Sequence, residues 1–109
     1  MMGAHDATLA DVTDQIEAGR HLVPEHLWRG VSNHILLGGD TGRFLTSLFE
    51  NDLINAVCRA DEVSLARLHD LVLFLHNYAP SPCFGSRAEV TAWRTAGGIR
   101  GGAHLREAA

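Results

Sequence analysis

The sequence predicts an all-α fold, a compact bundle of about five helices, and three features carry that prediction. Apolar residues recur three and four positions apart in several separate stretches, the spacing of one helix face. No stretch sustains the apolar-polar alternation of a half-buried strand. Glycine and proline punctuate the chain between these stretches, at Gly38-Gly39, Pro80 with Pro82, and Gly97-Gly98. With 109 residues, 46% of them hydrophobic and 20% charged, the chain has material for one modest core. The predicted domain covers residues 1–98, leaving 99–109 as a glycine-rich tail, flexible or docked on a partner.

The first helix follows Asp6 or Thr8, either of which caps free amides, while Leu9, Val12 and Ile16 fall on one face and Gly19 terminates it. Pro24 suits the first position of a second helix, with Leu27, Val31 and Ile35 as its stripe, Trp28 and His34 flanking, and Gly38-Gly39 at its end. A third helix starts near Thr41 or Gly42 and carries Phe44, Leu45, Leu48, Phe49, Leu53, Ala56 and Val57, an apolar face wide enough to be the innermost of the fold. Asp61 caps a fourth, with Leu65, Leu68, Val72 and Leu75 in line until Pro80 forbids continuation. Ser86 and Glu89 have the spacing of a capping box and open a fifth helix through Val90 and Trp93.

All nine basic residues are arginines, so each cation is a planar fork suited to carboxylate or phosphate. The net charge of −4 is uneven: residues 1–55 hold three arginines against eight acids, net −5, and residues 56–109 hold six against five, net +1. An acidic chain without a clustered basic face makes duplex nucleic acid a poor partner, because neutralised phosphates dominate that affinity. No apolar run approaches the ~20 residues of a membrane span, and the opening MMGAHDATLAD is acidic where a secretory leader is basic. The expectation is a cytoplasmic protein without a membrane partner. Cys58 and Cys83 read as free, packed thiols.

Two places could carry ligand chemistry. The loop GGDTGR at 38–43 is not a phosphate-binding P-loop, since a helix precedes it and Arg43-Phe44 follows the last glycine. An anion could still bind the uncovered amides of a helix start, with Arg43 as a forked donor and Asp40 opposing. The alternative is a plain turn in which Gly38 and Gly39 take positive φ and Thr41 caps the next helix. The second place is Asp52, in line with Leu45, Leu48 and Ala56 on an apolar face, with Arg59, Arg29 or Arg87, or an unsatisfied backbone amide at a helix start, as its expected partner. It is either a buried polar clasp or a ligand-facing carboxylate. Asn51 and Asn55 form a solvated row or contact a ligand. The candidate ligand-binding set is Gly39, Thr41, Gly42, Arg43, Asn51, Asp52 and Arg59.

No catalytic residue, cofactor or metal ligand is assigned. His21 with His26 and His69 with His76 lack the i, i+4 spacing of a helical zinc clamp. Cys83, in a turn near a helix start, would be activated if exposed, but no base accompanies it.

Taken in order, GRFL, ENDL, RAD, NYAP, CFGS and Trp93 resemble a group of short accessory proteins of bacteriophages and prophages, over residues 30–98. In that group a tyrosine is usual at position 34 and a tryptophan at position 84. The resemblance implies a viral or prophage origin. From it comes the expected function, a non-enzymatic binding protein that counters bacterial defence by blocking a host protein. One alternative is a sponge for a signalling cyclic nucleotide at the Gly38–Arg43 helix start, and another is a small DNA-binding regulator. The many apolar faces for so small a core predict a homo-oligomer.

Overall fold

The computed structural model describes residues 9–103, and every regular element among them is helical. Seven α-helices follow one another: α1 Leu9–Ala18, α2 Glu25–Leu37, α3 Arg43–Phe49, α4 Leu53–Arg59, α5 Glu62–Ala66, α6 Leu68–Asn77 and α7 Arg87–Ala96. Short 3-10 turns at Arg20–Leu22 and Ser81–Cys83 join α1 to α2 and α6 to α7. The expected caps Asp6 and Thr8 lie outside the described residues.

Helix α2 is the innermost rod, with Val31, His34 and Ile35 all at 1% exposure or less and Trp28 close behind. Around it pack Val12 and Ile16 of α1, Phe44, Leu45 and Phe49 of α3, Leu71, Phe74 and Leu75 of α6, and Val90 and Trp93 of α7. The expectation that the third helix is innermost is therefore corrected, and the reason is local. The run from Arg43 to Arg59 is two helices, not one.

The break between them is a Schellman turn. Asn51 adopts φ 61°, its amide donates to the Leu48 carbonyl at 3.1 Å, and the Asp52 amide donates to the Ser47 carbonyl at 2.9 Å. Asparagine tolerates the left-handed region better than other non-glycine residues. Asp52 then restarts the chain as the N-cap of α4, its side chain accepting from the Asn55 amide. The two helices thus point differently, and only Ala56 of α4 is buried, leaving Leu53 and Val57 exposed.

A second expected helix is likewise divided. At Arg67 (φ −105°, ψ 15°) α5 gives way to α6, and the Arg67 guanidinium donates to the His21 carbonyl at 2.8 Å and to Asp70 at 2.7 Å. The face that meets the core is Leu71, Phe74 and Leu75, whereas Leu65 and Val72 of the expected stripe stand about half exposed.

Gly19 follows α1 as expected, but with φ −100°, so it is no left-handed terminator. Its reason is space: a Cβ there would come 2.5 Å from the Tyr78 ring and 3.0 Å from Phe74. Pro24 caps α2 from one residue outside it. At the other end Gly38 takes φ 68°, while Gly39, expected to do the same, has no positive φ.

The end of α2 also fixes the start of the supposed tail. A helix leaves its last carbonyls without internal partners. Here the Ile35 carbonyl accepts from the Ile99 amide at 3.2 Å, the Leu36 carbonyl from Arg100 at 2.9 Å, and the Trp93 indole N–H donates to His34 and Ile35 carbonyls at 2.9 and 3.2 Å. Gly98, at φ 67°, sits so close that a Cβ would lie 2.5 Å from the Gly38 nitrogen. Ile99 and Ala103 are buried in consequence, so packing runs past residue 98 to 103. Residues 104–109 lie outside the described residues. A radius of gyration of 13.2 Å is that of a single compact domain of this length.

Candidate functional site

The glycine loop is held from behind by a residue that sequence patterning does not single out. Arg94, on α7, donates to Thr41 Oγ1 at 3.0 Å, Thr46 Oγ1 at 3.1 Å, Asp40 Oδ1 at 3.3 Å and His34 Nδ1 at 3.4 Å. The Asp40 carboxylate also accepts from the Thr41 amide at 2.9 Å. Thr41 therefore spends its hydroxyl on Arg94 and Thr46, and does not cap α3; Gly42 holds the cap position without a side chain. Gly39 packs on Asn33. Arg43 and Gly42 are exposed, and Arg43 has no ion pair or side-chain hydrogen bond among the described residues.

His34 is the buried centre of this network. Its ring stacks on Phe49 with centroids 4.1 Å apart, and Nε2 lies 2.8 Å from the Cys83 carbonyl. Because Nδ1 faces the Arg94 N–H, Nε2 carries the proton and donates to Cys83. Burial, with the Arg94 charge nearby, lowers its pKa to about 4, so the ring is neutral at pH 7. A histidine one residue before Ile35 on a buried helix was the available signal, and Arg94 one residue after Trp93 was its partner.

Of the expected buried acid, only the position survives. Asp52 is half-buried and caps α4, accepting from Asn55 Nδ2 at 2.7 Å and the Asn55 amide at 3.3 Å. Those two bonds, chiefly the side-chain one, hold its carboxyl below the usual carboxylate range. No guanidinium pairs with it directly: Arg59 donates to Ser47 Oγ at 2.8 Å, and Arg87 meets Glu50 at 3.8 Å. Of the expected partners Asp52 thus takes the amide at a helix start and not a guanidinium, as a cap at a helix break and not a clasp across a buried face.

Two other constellations are decided by geometry. His26, Asp61 and Ser64 lie together, but both the Asp61 carboxylate (3.0 Å) and the Ser64 hydroxyl (3.5 Å) face the same ring nitrogen, Nε2. A nucleophile-base-acid relay needs opposite nitrogens. Asp61 instead caps α5 through the Ser64 amide at 2.7 Å. Cys83 is fully buried, and burial pushes its thiol pKa up, which removes it as an activated nucleophile. Cys58, expected to be packed, is exposed. Among the described residues no group of three or more His, Cys, Asp or Glu is placed to hold a metal ion.

A cleft does form, between α4 and α6. It encloses about 250 Å³, its apolar walls including Leu48, Ala56, Leu68, Val72, Leu75 and Phe84, with Asn51, Asp52 and His76 as polar lining. Of the expected site residues only Asn51 and Asp52 line it; Gly39, Thr41, Gly42, Arg43 and Arg59 do not. The Gly85 amide donates to the Phe49 carbonyl at 2.8 Å and fastens the 84–85 wall to the end of α3.

Two residues that line the cleft, Leu53 and Val72, belong to an unusual set of exposed side chains. Among the described residues seven large hydrophobic side chains are exposed, and six of them fall between positions 53 and 72: Leu53, Ile54, Val57, Val63, Leu65 and Val72. Isolated exposed leucines are ordinary, but a run of this kind is not. Residues 50–76 also carry five acids against two arginines, a net −3. Both arginines are engaged, Arg59 with Ser47 and Arg67 with Asp70.

Comparison of the chain with protein-family models, with curated proteins and with solved structures returns no match. Fold and site together define a small all-helical protein with an apolar cleft that Asp52 lines. No helix among the described residues is long and apolar enough to cross a membrane.

Proposed function

We propose that the protein is a non-enzymatic binding module whose α4–α6 surface receives a partner protein. The observation that carries this is the confinement of six exposed large hydrophobics to residues 53–72, beside a formed cleft. Water contact with that many large apolar side chains is unfavourable, and a protein partner would remove it. The resemblance of the GRFL to CFGS motifs to phage accessory proteins suggests the setting, a host protein whose action in defence is blocked. Self-association is the competing use of the same surface.

The nucleotide sponge rests on Arg43 and the open Gly42 at the start of α3. Asp40, which accepts from Arg94 and the Thr41 amide, puts a negative charge two residues before the Gly42 cap, which opposes an anion there. The cleft, at about 250 Å³, falls below the ~300–1,000 Å³ of small-molecule pockets. Regulation through duplex DNA has the net charge of −4 against it.

The test is comparative capture. The full chain and its Ile54→Glu/Val72→Glu variant are each immobilised and exposed to bacterial lysate, with circular dichroism confirming that the variant is folded. A host protein retained by the parent chain and lost from the variant supports the reading. Identical capture by both, or none by either, sinks it.

A further inference from the structure

The charge around the cleft narrows the partner, and on the reading just given we infer that it takes a cationic amphipathic helix, whose apolar side chains enter the cleft while an arginine or lysine meets Asp52. A partner large enough to be useful must cover more than the cleft, because Ile54, Val63 and Leu65 are exposed and do not line it, and would stay wet around a small molecule. That requires a macromolecule.

Its shape follows from the walls. Leu68, Val72 and Leu75 of α6 lie at i, i+4 and i+7, so that wall extends about 11 Å along the helix axis, roughly two turns. The opposite wall is α4, through Leu53 and Ala56. A furrow between two helices, two turns long, matches a helix that presents anchors at i, i+3 or i+4, and i+7. Strand addition has no sheet edge to use among the described residues.

Its charge follows from the rim. Asp52 uses one oxygen on the Asn55 amide and the other on Asn55 Nδ2, and each oxygen keeps acceptor capacity toward the cleft it lines. Hydrogen bonding by Asn55 keeps it ionised. Counting Arg87, which meets Glu50, with residues 50–76 leaves five acids against three arginines, a net −2, so a second copy would set two negative faces against each other, and an anionic lipid surface would be repelled. A basic helix is attracted by the same field.

Panning a display library of random 16-residue peptides against the full chain tests this, followed by titration of the enriched peptides. The expected winners carry two or three large apolar residues at helical spacing together with arginine or lysine. Val72→Glu lowers their affinity at least ten-fold. Asp52→Asn keeps a good helix cap yet removes the charge, and weakens them about three-fold at low salt, with the difference fading as salt rises. Enriched peptides that are neutral or acidic but still lost in Val72→Glu overturn the cationic helix and leave the binding surface standing. Enrichment indifferent to Val72→Glu, or no enrichment, overturns both.

Discussion

Replacing His34 with glutamine removes a buried group whose protonation the fold resists, and the consequence is a change in how stability depends on pH. The ordinary histidine pKa of 6.5 falls to about 4 in the folded chain. Between those values the unfolded chain is protonated and the folded chain is not, so stability is complete above about pH 6.5 and drains away as pH falls toward 4. A difference of that size corresponds to about 3 kcal/mol when fully expressed, of which about 2 kcal/mol is lost between pH 7 and pH 4.5. Glutamine can still donate to the Cys83 carbonyl, but it does not titrate. It also forfeits the stack on Phe49, so the variant starts less stable and only the slopes are compared. Urea unfolding followed by the fluorescence of Trp28 and Trp93, at pH 7, 6, 5 and 4.5, gives both slopes. All other groups titrate alike in the two proteins, so the parent chain should lose about 2 kcal/mol more than the variant across that range. Parallel slopes would mean that His34 is not held neutral, and the reading of the Arg94–His34–Cys83 network would have to be given up.

Two further outcomes are expected. Gly98→Ala should cost about 2 kcal/mol or more, because the position has φ 67° and the new Cβ would strike the Gly38 backbone. Gly42→Ala, where nothing lies within 4 Å of the added atom, should stay within about 0.5 kcal/mol. Thermal unfolding separates the two, since about 1 kcal/mol shifts the midpoint by roughly 4–8 °C in a domain of this size. For the thiols, a chromogenic disulfide reagent should titrate one cysteine per native chain, the exposed Cys58, and the buried Cys83 only after denaturation. Rapid reaction of both in the folded protein would contradict the placement of Cys83 against His34.

The caps are the most legible part of the sequence. Gly38 ends α2, Asp61 opens α5 and Ser86 opens α7, each where its side chain or lack of one predicts. Stop signals weaker than glycine are easily read through. Asn51-Asp52 is a left-handed stop followed by an N-cap, but on a run as apolar as Phe44 to Val57 the periodicity of a single helix outweighs it. The same misreading puts Asp52 on a buried face and Leu53 and Val57 in the core. At Arg67 no local residue type announces the bend, since the partner that the guanidinium reaches, the His21 carbonyl, is 46 positions away.

Residue spacing and punctuation by themselves determined that this chain is helical and where most of its helices begin, because those are matters of which amides a nearby side chain can satisfy and where φ can turn positive. Only the tertiary structure decided which helix is central, that Arg94 and His34 fasten the glycine loop, and that α4 and α6 part to leave an apolar cleft. Those outcomes depend on groups about 50 to 60 residues apart meeting across the core, as His34 meets Cys83 and Arg94, and no local pattern encodes the meeting.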